Sequence, residues 1–208
     1  MKINVRNMKS CLSNRAINFW RRNKNKLLMK LTTFWMYFVF RLQGVVIGQK
    51  CIFYGKPHFE VNNGGKIVIG ENCIFRSTMA SNRIGLNRRV IISATPLPNQ
   101  TCSIHIGNNC GFSGTSIWCF KDIYIGNNVR CGANTLIMDG DAHFEDIRTT
   151  PPQSIRIEDN VFLGANVVVK KGVTIGANSV IGMNSVVTHN IPANCVAVGI
   201  PCKVIKQL

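Results

Sequence analysis

The sequence predicts an all-β solenoid, a parallel β-helix, preceded by a helical arm. From Ile157 to Pro192 the chain divides without remainder into six-residue units, IEDNVF, LGANVV, VKKGVT, IGANSV, IGMNSV and VTHNIP, each opened by an aliphatic residue. A period of six belongs neither to an α-helix nor to a simple hairpin; it suits short strands joined by corners, with the aliphatic side chains stacked inward coil upon coil. Asn166, Asn178 and Asn184 recur at one phase beside Gly164, Gly176 and Gly182, residue types that tolerate the unusual backbone angles of tight corners. Residues 1–43 show no such frame and carry ten Lys or Arg with no acid.

Taken in order, residues 1–44 form a basic amphipathic arm. Leu27, Leu31, Phe34 or Trp35, Phe38 and Leu42 fall at helical spacing, and Gly44 is placed to stop the helix. A basic first half followed by an aromatic second half suits a helix in a membrane interface, through residues 15–42. Such a helix would equally cap the open end of a solenoid. The six-residue frame begins weakly at Ile47-Gly48, returns at Ile69-Gly70, Ile106-Gly107 and Ile125-Gly126, and assigns residues 45–208 to one domain. Two stretches break it. Residues 80–103, with Pro96 and Pro98, read as a tolerated insertion. Residues 139–154, DGDAHFEDIRTTPPQS, hold four of the nine acids and one of the four histidines, and read as a loop with a task.

At 208 residues with 46% apolar side chains the chain can bury a continuous core, which excludes wholesale disorder. The net charge of +16 is concentrated in the arm and points to an anionic surface. No basic rows lie on the repeat faces, which argues against a nucleic-acid partner. Nine cysteines without a CxxC pair, three of them (Cys51, Cys73, Cys110) at one place in the repeat, read as small core residues in a reducing compartment. Leu27 to Phe40 is about 14 residues and holds Lys30, short of the roughly 20 needed to span a bilayer. No secretory signal is recognisable at the start. Four scattered histidines are a poor basis for a three-histidine zinc site, so no metal is expected.

The six-residue frame, the ending VAVGIPCKVIKQL and the run MDGDAH after an IGNN coil together resemble the hexapeptide-repeat acyltransferases, in particular the sugar O-acetyltransferases of the maltose, galactoside and surface-polysaccharide kinds. The resemblance covers about residues 45–208. It implies a left-handed coil, a homotrimer with sites between subunits, and acetyl-CoA as donor. The expected function is acetyl transfer to a sugar or lipid-linked glycan precursor, in the cytoplasm or at the inner face of its membrane. N-acetylation of an amino-sugar nucleotide and a non-enzymatic scaffold are the alternatives.

A sugar hydroxyl is a weak nucleophile at neutral pH and needs a base, for which histidine is suited. His143 stands in the acidic break where the resembled family has its base; His105, between inward-facing Ile104 and Ile106, should point outward. Asp141, in preference to Asp139, would orient the imidazole. By resemblance Ser113 takes the place of an acceptor-binding Asn, a departure that exchanges an amide for a hydroxyl. Gly164, Ala165, Met183, Thr188 and His189 would line the pantetheine groove. Lys203 and Lys206 would meet the phosphates of CoA where relatives often carry Arg.

Overall fold

The structure is a computed structural model that describes the backbone of residues 5–208 and the side chains of residues 17–20 and 23–208. The first residues of the arm, Lys2 among them, and the Cys11 and Arg6 side chains lie outside that description. A 38-residue helix, α1 (Val5–Leu42), leads into a solenoid of three parallel sheets. The first sheet has six strands in the order Val46–Ile47, Gly65–Ile69, Cys102–Ile106, Asp122–Ile125, Ile155–Ile157 and Thr174–Ile175. The second has eight, beginning at Ile52–Tyr54 and ending in Cys195–Val198 and Lys203–Gln207, and the third has six, from His58–Val61 to Val186–Val187. Each coil contributes one strand to each sheet in turn.

Register explains why the openings of the repeat are aliphatic. Ile69, Ile106, Ile125, Ile157 and Ile175 pair directly across neighbouring coils, so one inward position becomes a continuous buried column. A second column runs Phe53, Phe75, Phe112, Cys131, Leu163, Ile181, Ala197. Its three phenylalanines are stacked with ring centroids 5.0 and 5.3 Å apart, so the bulkiest side chains of this column lie at the helix end. His105 points outward as expected, lying flat on Tyr124.

The corners divide the labour between Asn and Gly. Asn109, Asn128, Asn160, Asn178 and Asn194 all take φ between 58° and 60°, the left-handed region that Asn tolerates. Their amides bond one to the next at 3.2, 3.0, 2.9 and 2.8 Å, a ladder along the solenoid. The expectation that Gly164, Gly176 and Gly182 supply unusual angles needs correcting, since none of them has positive φ. They are small because the coils touch there: a Cβ on Gly164 would lie 2.6 Å from the Met183 main-chain nitrogen.

The arm closes the phenylalanine-rich end. Phe40 is 1% exposed and stacks on Phe59 at 4.0 Å, and Met36 is buried beside it. The Tyr37 hydroxyl donates to the Gly48 carbonyl and accepts from the Cys51 N–H, both at 2.8 Å. These bonds satisfy main-chain groups that a first coil would otherwise expose. Gly44, at φ 77°, ends the helical path. The stripe picked out from the sequence, Leu27 to Leu42, is not this capping face; it is exposed on the far side of α1. Among the described residues no helix is long and apolar enough to cross a membrane.

Eight described cysteines are free and buried. Cys51, Cys73 and Cys110 each donate from Sγ to a glycine carbonyl of the next coil, at 3.3, 3.3 and 3.1 Å, and burial pushes the Cys131 thiol up to about 12. Thiols held this way are packing groups rather than nucleophiles.

Candidate active site

The loop of residues 139–154 leaves the solenoid between the third sheet and the first, after the strand Leu136–Met138. Its root is Asp139, which has no solvent exposure. The carboxylate accepts from the Phe120 N–H at 2.7 Å, the Lys121 N–H at 2.9 Å and the Cys119 thiol at 3.4 Å. Burial raises its pKa, and the donors act in the opposite sense. The Asp139 carbonyl accepts from the Gln153 N–H at 2.8 Å, so both ends of the loop meet at one point. Phe144 packs edge-on against Phe120 at 4.7 Å.

Asp141 is held by lysine, not by histidine. Its carboxylate bonds the Lys171 ammonium and lies 3.7 Å from Lys170, and the Lys171 bond sets its pKa below the usual carboxylate range. Lys171 also donates to the Thr150 carbonyl at 2.8 Å, tying the two arms of the loop together. His143 stands at the tip with 80% of its side chain exposed, and its Nδ1 is 3.6 Å from Glu145 Oε1. Within this chain Glu145 is therefore the carboxylate beside the imidazole. The expected Asp141–His143 pair is absent, because two ammonium groups compete for that carboxylate.

The other expected residues occupy a different corner. Ser113 ends the strand Gly111–Ser113 and half-buries its side chain. Gly164, Ala165 and Met183 follow strands of the same sheet, so all four line the corner between the second and third sheets. Met183 is exposed, and the Ala165 carbonyl accepts from the Asn184 N–H at 2.9 Å. Thr188 and His189, bonded to each other at 2.9 Å, follow Val186–Val187 and share the His143 corner. Lys203 and Lys206 lie exposed on the closing strand, which pairs antiparallel with Cys195–Val198. One chain thus carries the components at separate corners.

A groove of about 770 Å³ opens beside the loop. Asn99, Gln100 and Thr101 form one wall, Phe144, Thr149 and Thr150 the other, and Lys121 and Asp122 lie between. Residues 80–103 are therefore more than a tolerated insertion. Their later part walls this groove, and their earlier part folds onto the Asn134 corner, where the Asn87 N–H bonds Asn134 Oδ1 at 2.8 Å and Arg88 bonds the Asn134 carbonyl at 3.2 Å.

Residues 154–189 match the family model described as the hexapeptide repeat of succinyl-transferase. Over that stretch the chain carries the hexapeptide repeat, wound here into a parallel β-helix. It is similar to the galactoside O-acetyltransferase of Escherichia coli, 41% identical over 112 residues that cover 51% of this chain and 55% of that one. It is similar also to the galactoside O-acetyltransferase of Lactococcus lactis, 37% identical over 147 residues, covering 67% and 62%. The chain thus spans about half to three fifths of the length of these relatives. Among solved structures, a mutant N-acyltransferase from Bacillus cereus aligns with TM-score 0.53 and 14% identity over 83% of this chain and 88% of that one, a likeness of fold. The coil is a parallel β-helix, and its sequence is similar to that of the galactoside O-acetyltransferases.

Two features of the candidate site escaped sequence reasoning. Lys171 was hidden because it lies 30 residues beyond Asp141. Its signal was the paired lysine in VKKGVT, a basic unit one coil below an acidic break. The groove wall at Asn99 to Thr101 was hidden because an interruption of a repeat looks the same whether or not it folds back on its neighbour.

Proposed function

We propose that this protein transfers the acetyl group of acetyl-CoA to a hydroxyl of a sugar or glycan, with His143 as general base. The observation that carries the reading is a solvent-facing histidine at the tip of a loop pinned at its root, beside a groove of saccharide size. The likeness to galactoside O-acetyltransferases supports the donor and the reaction. His143 takes the acceptor proton as the hydroxyl oxygen attacks the thioester carbonyl. The C–O bond forms, the C–S bond breaks, and the imidazolium returns the proton to the departing thiolate. Glu145 stabilises the imidazolium, and Asp141, through Lys171, positions the loop.

The groove takes the acceptor. Amide and hydroxyl groups on both walls suit its hydroxyls, and Phe144 offers an apolar face. Ser113, Gly164, Ala165, Met183, Thr188 and His189 receive acetyl-CoA and the reacting hydroxyl, with Lys203 and Lys206 toward its phosphates. The homotrimer that the family resemblance implies accommodates His143 and Ser113 at different corners of one chain, His143 of one subunit facing the Ser113 corner of the next.

The test is thiol release from acetyl-CoA over a panel of sugars, glycan fragments and amino sugars, with His143→Ala alongside. Acceptor-dependent release that falls by about 10²–10⁴ in the variant is expected. Full activity in the variant would remove His143 from the mechanism. Failure to bind acetyl-CoA at all would replace the enzyme with a scaffold.

A further inference from the structure

The helix α1 has two apolar faces, and the fold uses only one. Met36 and Phe40 are buried in the cap, whereas Leu27, Leu31, Phe34, Trp35, Phe38 and Leu42 are each more than half exposed. At 100° per residue these six fall in one sector about 100° wide, on the side away from Met36 and Phe40. Trp20 extends the same sector and is covered by the Lys24 ammonium at 5.0 Å. Lys26, Lys30 and Arg41 follow along one flank, and α1 contains no acid. A groove of about 480 Å³ runs under Phe34 and Phe38 with Arg41 and Lys50 among its walls.

We propose that α1 lies along this second face in the headgroup region of an anionic lipid bilayer. The charge selects the occupant. An apolar stripe alone would suit a second copy of the chain, but a second copy brings the same positive charge and no acid to this face, whereas anionic headgroups neutralise it. Tryptophans on the stripe favour an interface over a hydrocarbon core. The Phe34–Phe38 groove beside Arg41 and Lys50 offers an acyl chain a slot next to two cations for its phosphate. With no described helix able to cross a membrane, the helix lies on the surface rather than through it. This inference stands apart from the transfer chemistry.

The experiment is flotation of the full chain with vesicles of phosphatidylcholine alone or mixed with phosphatidylglycerol, at low and high salt. The parent should partition onto the mixed vesicles, at least tenfold less onto phosphatidylcholine, and less in high salt. Replacing Lys24, Lys26 and Lys30 together by Gln should lower partition roughly a hundredfold. Replacing Phe34, Trp35 and Phe38 together by Ser should lower it at least tenfold while leaving the melting temperature in place, because none of the three is in the buried cap. Absence of parent binding to the mixed vesicles would overturn the proposal. So would salt-independent binding to both kinds, or a serine variant that keeps its partition but loses mass in solution, which would assign the face to a second copy. Acetyl transfer to a soluble acceptor, followed in the same samples, reports separately on the enzyme.

Discussion

Asp139 and Asp141 stand two residues apart in one acidic loop, yet their surroundings give them different work. Asp139 satisfies one buried and one part-buried N–H group, so Asp139→Ala should cost about 2–4 kcal/mol in denaturant unfolding by orphaning both donors. Asp141 is a clamp. Its pKa is depressed by Lys171, so the clamp is complete above the ordinary carboxylate range and is lost only as pH falls through the depressed value. Protection of the amides of residues 141–150, measured against the intrinsic exchange rate at each pH, should therefore fall in acid, and Lys171→Met should lower it at neutral pH by tenfold or more. Unchanged exchange in that variant would deny Lys171 its role. Which acid did which was not legible in DGDAHFED, because neither partner is local: one is the main chain of the preceding coil, the other a lysine a coil below.

At the scale of elements, the repeat was legible because each inward position recurs with the coil, and stacking makes one chemical choice serve every layer. The ladder follows from it. Asn178→Ala should cost about 1–2 kcal/mol, since it removes two amide bonds and places a Cβ residue without polar compensation at φ 60°. The arm was legible as a helix with a stop at Gly44. Its orientation was not, because spacing alone shows an apolar stripe without saying what meets it, and the capping pair Met36 and Phe40 falls between the residues of the more conspicuous stripe. Unfolding by urea separates the faces. Phe40→Ala should lose about 3–5 kcal/mol, and Phe38→Ala, 55% exposed, no more than about 0.5.

For the whole molecule, the proposed trimer with His143 of one chain facing the Ser113 corner of the next makes activity a property of the assembly. His143→Ala chains and Ala165→Trp chains, each inactive alone, should regain activity when co-expressed, because some sites then join an intact histidine to an intact corner; no recovery would return the site to a single chain. The two ends of the solenoid bear on association in another way. A parallel coil terminates in three rows of unpaired main-chain groups, each a template for one more strand. Here α1 covers the first coil, and at the other end Lys203–Gln207 runs antiparallel to the sheet it closes. Reversing direction breaks the register a further coil would need. A chain shortened to begin at Val45 would lay bare Phe53, Phe59 and the strand edges at that end alone, and would be expected to pair end to end with a second open end, so the arm serves as one of the two stops on a stackable coil.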